Sequence, residues 1–69
     1  MATRYIYPMS GGGAAYYEIN GFIYETSGGE SKFYIRNDYV YTMNGDAAYW
    51  IKGKYLYSQE TSAAELYFG

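Results

Sequence analysis

Sixty-nine residues with a net charge of −2, no Cys and no His define one small domain, residues 1–69, without disulfide, thiolate or imidazole chemistry. Five basic against seven acidic residues exclude the basic stripe that a nucleic-acid partner requires. The longest apolar run, Ala47 to Ile51, is far too short to span a membrane as a helix, so no membrane partner is expected. Nor does an apolar signal segment follow Arg4, and a soluble, cytoplasmic chain is the default expectation.

A chain of this length buries only about 60% of the surface its unfolded form exposes. With no disulfide or metal to help, the remaining stabiliser is self-association, and a homo-oligomer is expected. Aromatic residues make up 23% of the chain, 12 of them Tyr, while Leu occurs only at 56 and 66. Tyr suits a half-buried pleated surface, packing its ring and leaving its hydroxyl wet, so the composition reads all-β.

The first element is Arg4-Tyr5-Ile6-Tyr7, a short alternating strand. After it come three nine-residue blocks that match one another: Tyr16–Tyr24 (YYEINGFIY), Phe33–Tyr41 (FYIRNDYVY) and Tyr49–Tyr57 (YWIKGKYLY). Each opens with two aromatics, turns on polar or Gly residues, and closes aromatic-aliphatic-Tyr. The last element, Leu66-Tyr67-Phe68-Gly69, matches an opening half, just as Arg4–Tyr7 matches a closing half. Linkers of seven or eight residues separate the blocks, so the internal period is sixteen to seventeen residues.

Each block reads as a hairpin. Asn20-Gly21 and Asn37-Asp38 suit a type I′ turn, and Gly53-Lys54 has Gly first, as type II′ requires. A single register then pairs Ile35 with Val40, Ile51 with Leu56, Phe68 with Ile6 and Glu18 with Ile23 on one, largely aliphatic face. The opposite face pairs Tyr17 with Tyr24, Tyr34 with Tyr41, Trp50 with Tyr57 and Tyr7 with Tyr67, with Arg36 and Lys52 nearer the turns. The expected fold is four short hairpins in a pseudo-fourfold closed ring, either a miniature barrel or a propeller-like arrangement. Its terminal strands pair to complete the fourth hairpin and remove two open edges. No helix is expected beyond a single turn within Thr61–Leu66, which carries a weak capping pattern.

Chemistry is sparse. Glu18 falls among aliphatic partners, the placement used to tune catalytic acids, yet a rim position or an ion pair accounts for it as well. Ser10-Gly11-Gly12-Gly13 lacks the Gly-Lys-Ser/Thr ending of a phosphate loop and reads as a flexible turn, and so does Asn44-Gly45-Asp46. No catalytic residue, cofactor or metal is expected. The aromatic pairs are the candidate site. Flat rings beside polar donors suit a carbohydrate or protein ligand, and four weak sites can act through avidity. A non-enzymatic binding module is therefore the favoured function. The alternative is a structural, self-assembling subunit whose aromatic faces are buried between chains, and an enzyme has the least support.

Overall fold

The computed structural model describes residues 2–69. Eight strands follow one another: β1 (Arg4–Pro8), β2 (Tyr16–Ile19), β3 (Phe22–Glu25), β4 (Ser31–Arg36), β5 (Tyr39–Thr42), β6 (Ala47–Lys52), β7 (Tyr55–Ser58) and β8 (Ala64–Phe68). Each pairs antiparallel with its sequence neighbours, and β1 pairs with β8, closing a miniature barrel rather than a propeller. Closure gives every strand a partner on both sides and leaves no sheet edge. Among the described residues no helix is long and apolar enough to cross a membrane.

The turns form as their residues dictate. Asn20 and Gly21 (φ 53° and 86°) and Asn37 and Asp38 (φ 53° and 67°) both lie in the left-handed region, as type I′ requires, whereas Gly53 (φ 63°) does so without Lys54. The registers are those that the repeat predicts: Glu18↔Ile23, Ile35↔Val40, Ile51↔Leu56 and Ile6↔Phe68. Passage from one hairpin to the next shifts the register at Ile23/Tyr24, Val40/Tyr41 and Leu56/Tyr57, the same column of each repeat. Such bulges sharpen twist and turn the corners of a small barrel.

The core is layered. Ile6, Ile23, Val40 and Leu56, one from each repeat, are at most 1% exposed and form the central layer. Each is worth about 1.5–3 kcal/mol of burial. Towards the hairpin turns they oppose Phe68, Glu18, Ile35 and Ile51; towards the linkers they oppose Tyr16, Phe33, Tyr49 and Leu66. Tyr16 meets Phe33 edge-on at 5.7 Å, and Phe33 meets Tyr49 in the same way at 5.8 Å.

One local expectation, the turn within Thr61–Leu66, resolves differently, whereas Glu18 takes the ion pair that the sequence offered. Thr61–Leu66 does not form a helical turn. The turn sits earlier, closed by the Ser62 N–H donating to the Ser58 carbonyl at 2.9 Å, and Ser62 (φ 61°) ends it in a left-handed conformation that no helix continues. The Ser58 hydroxyl supports the turn by accepting from the N–H groups of Glu60 (3.1 Å) and Thr61 (3.4 Å). Glu18 is buried, but it is fully employed: it accepts from Arg4 Nε at 2.9 Å and from the Gly21 N–H at 2.7 Å. Arg4 in turn lies 4.0 Å from the centre of the Phe68 ring, so the pair seals the turn end of the barrel where the split hairpin has no loop.

Candidate functional site: an outer aromatic belt and a loop-end cavity

Strand alternation sends the second aromatic of each block outward. All four expected pairs form, and all four stack. Ring centroids lie 5.2 Å apart for Tyr17–Tyr24, 5.4 Å for Tyr34–Tyr41, 5.3 Å for Trp50–Tyr57 and 5.5 Å for Tyr7–Tyr67, with interplanar angles of 12–25°. These are offset-stacked pairs, too close for a ligand ring to slide between them. A ligand must instead lie over the outside of the pairs.

The registers extend each pair into a ladder of three aromatics across neighbouring strands. Phe22 opposes Tyr34, which opposes Tyr41; Tyr39 opposes Trp50, which opposes Tyr57. Tyr55 opposes Tyr67 and then Tyr7, and Tyr5 opposes Tyr17 and then Tyr24. Twelve of the sixteen aromatics thus clothe the outside. The eight rings of the stacked pairs are half-buried, but Tyr5 (49%), Phe22 (44%) and Tyr39 (44%), which begin three of the ladders, are exposed. Arg36 stands opposite Tyr39 and Lys52 opposite Tyr55, so the two expected polar flanks head two of the ladders, both exposed. The fourth ladder is covered from within the chain: the Lys54 ammonium sits 5.7 Å from the ring centres of both Tyr55 and Tyr67.

A second feature lies at the linker end. A cavity of about 300 Å³ opens there, lined among others by Phe33, Tyr49, Ser58, Gln59, Glu60 and Glu65. Burial pushes the Tyr49 phenol above its ordinary pKa, and the neighbouring Tyr16 and Glu65 push it further in the same direction. The sequence reading did not single out Phe33, Tyr49 or Glu65. Counting back by two from Ile35 and Ile51 places Phe33 and Tyr49 on the inner face, and that alternation was the available signal. Glu65 carries no such signal, because it falls at the register shift between β7 and β8.

No family model, curated protein or solved structure matches the chain.

Proposed function

We propose that the protein is a non-enzymatic binding module whose aromatic ladders engage an extended carbohydrate. The observation that carries this reading is the exposure of Tyr5, Phe22 and Tyr39, each directly opposite a ring of a stacked pair on the outside of the barrel. Neighbouring strands lie about 4.8 Å apart, so a three-ring ladder runs about 10 Å, long enough for consecutive sugar rings. Arg36 supplies hydrogen-bond donors at the head of the Tyr39 ladder, which no side chain of the barrel is seen to cover among the described residues. The employment of Glu18 in holding Arg4 and Gly21 supports a non-enzymatic role.

Titration of Trp50 fluorescence with oligosaccharides of increasing length tests the proposal. Affinity is expected to rise at least about tenfold from disaccharide to hexasaccharide as more ladders engage, and to fall in Tyr39→Ala. No response to a broad saccharide panel at millimolar concentration would overturn it.

Self-assembly is the second reading. It is favoured by the exposed Met9 (47%) and Met43 (52%), which add to the exposed aromatics apolar surface that a homo-oligomer would cover. Solution mass separates the two readings, since a monomer at micromolar concentration leaves the ladders free for ligand.

A further inference from the structure

Charge is unevenly distributed along the barrel axis. The hairpin-turn end carries four basic residues (Arg4, Arg36, Lys52, Lys54) against two acidic ones (Glu18, Asp38). The linker end carries one basic residue, Lys32, against five acidic ones (Glu25, Glu30, Asp46, Glu60, Glu65). Lys32 is itself engaged by Glu30 at 3.7 Å. The cavity at the linker end therefore opens into a negative field.

Its walls suit the same sign of charge. The rings of Phe33 and Tyr49, held edge-to-face at 5.8 Å, form the apolar part together with Ala47 and Ala48, and Glu60 and Glu65 add two carboxylates. Among the described residues no Lys or Arg lines the cavity. Aromatic faces attract cations, and carboxylates accept from N–H donors. An anion would meet repulsion from both carboxylates and no compensating donor side chain beyond Ser58 and the Gln59 amide. The volume is at the lower end for ligand sites, which limits the occupant to a small molecule or a single side chain.

We propose that this cavity binds a small primary amine in its ammonium form, with the alkyl part against Phe33 and Tyr49 and the charged head between Glu60 and Glu65. The site is distinct from the outer ladders and does not depend on their ligand. The protein's own chemistry offers a parallel, since the Lys54 ammonium packs over Tyr55 and Tyr67 elsewhere on the barrel.

The test uses n-butylammonium chloride as probe and n-butanol as its neutral counterpart, at constant ionic strength, with amide NMR shifts as the readout. Saturable shifts at Phe33, Tyr49, Glu60 and Glu65 are expected with the ammonium, and binding roughly tenfold weaker or absent with the alcohol. The double substitution Glu60→Gln, Glu65→Gln is expected to weaken ammonium binding at least about fivefold. Both side chains are exposed, so the variant should retain the native amide spectrum. Equal binding of alcohol and ammonium to the unaltered protein, no saturable shift at tens of millimolar, or an unaffected double variant would each overturn the proposal. Loss of saccharide binding at Trp50 would bear only on the outer ladders.

Discussion

Tyr7 and Tyr67 stack at 5.5 Å although sixty positions separate them, and they do so in the geometry of the three pairs formed within continuous hairpins. The Gly69 N–H donates to the Tyr5 carbonyl at 3.0 Å, so backbone pairing continues beyond the stack. In the repeat, Gly69 occupies the column of Lys52, and Arg4 that of Lys54. One inserted Gly between Gly69 and Arg4, omitting residues 1–3, would therefore recreate the Lys52-Gly53-Lys54-Tyr55 turn. A permuted chain joined in this way and opened between Gly12 and Gly13 is expected to fold to the same barrel. Its stability in urea should fall within about 1 kcal/mol of the parent, since one flexible connection replaces another. An unfolded permutant would show that the terminal pairing is not equivalent to the other three.

The Arg4–Glu18 pair makes a directional prediction. Glu18→Ala removes the acceptor for two donors, the Gly21 N–H and Arg4 Nε, and leaves a hole in the turn-end layer. The expected loss is about 2–3 kcal/mol, several times that of an exposed ion pair. Arg4→Ala should cost less, about 1 kcal/mol, because Arg4 is half exposed and water can replace it. Chemical denaturation of the two variants checks the order, and equal losses would contradict the assigned roles.

Ser62 is strained where its counterpart is not. The linkers after Glu25 and Ser58 make the same bonds: the residue four positions on, Gly29 or Ser62, donates to the first carbonyl at 2.8–2.9 Å. Gly29 (φ 73°) adopts this conformation freely, whereas Ser62 (φ 61°) has a Cβ to accommodate. Ser62→Gly is expected to stabilise the barrel by about 0.5–1 kcal/mol, net of the added flexibility of the unfolded chain, and to raise Tm by a few degrees. A lower Tm would show that Ser62 contributes something other than backbone shape.

Alkaline pH should bear on Tyr49 in particular. Below pH 10 the phenol is protonated in both states; above it the unfolded chain releases its proton first, because burial, Tyr16 and Glu65 raise the folded pKa. The contribution of Tyr49 is thus fully present below pH 10 and lost as pH rises towards the folded value. Tyr49→Phe removes the titrating group, so its stability should decline less than the parent's from about pH 9 to about pH 11. Urea midpoints measured across that range test the sign, and parallel declines would place the alkaline sensitivity at other tyrosines.

Much of this architecture was legible because the repeat carries its own register. Once Asn20-Gly21, Asn37-Asp38 and Gly53-Lys54 fall in one column, period-two alternation puts Val40 inside and Tyr41 outside with no further information. The choice between barrel and propeller was not legible. It depends on how β3 meets β4, β5 meets β6 and β7 meets β8, and the residues at those register shifts (Lys32, Ala48 and Glu65) share no side-chain chemistry. The loop-end cavity was hidden for a related reason. Tyr serves on both faces of this sheet, so its identity at 16 and 49 does not reveal which side it takes. The Arg4–Glu18 contact spans two elements that local pattern cannot connect, although a lone acid among aliphatics was a fair sign that a partner existed.

Joining β1 to β8 also constrains the order of events during folding. Seven of the eight strand pairings link neighbours along the chain and can form early, over short loops. The eighth must bring the ends together across nearly the whole sequence, and loop closure costs more as the loop lengthens. On a ribosome the hairpins can assemble one by one, but Ile6 and Tyr7 have no second neighbour until Ala64–Phe68 has emerged. The barrel can therefore shut only once β8 has emerged, and the pace of that closing step, rather than hairpin formation, should set how long the nascent chain leaves its aromatic strands open to wrong partners.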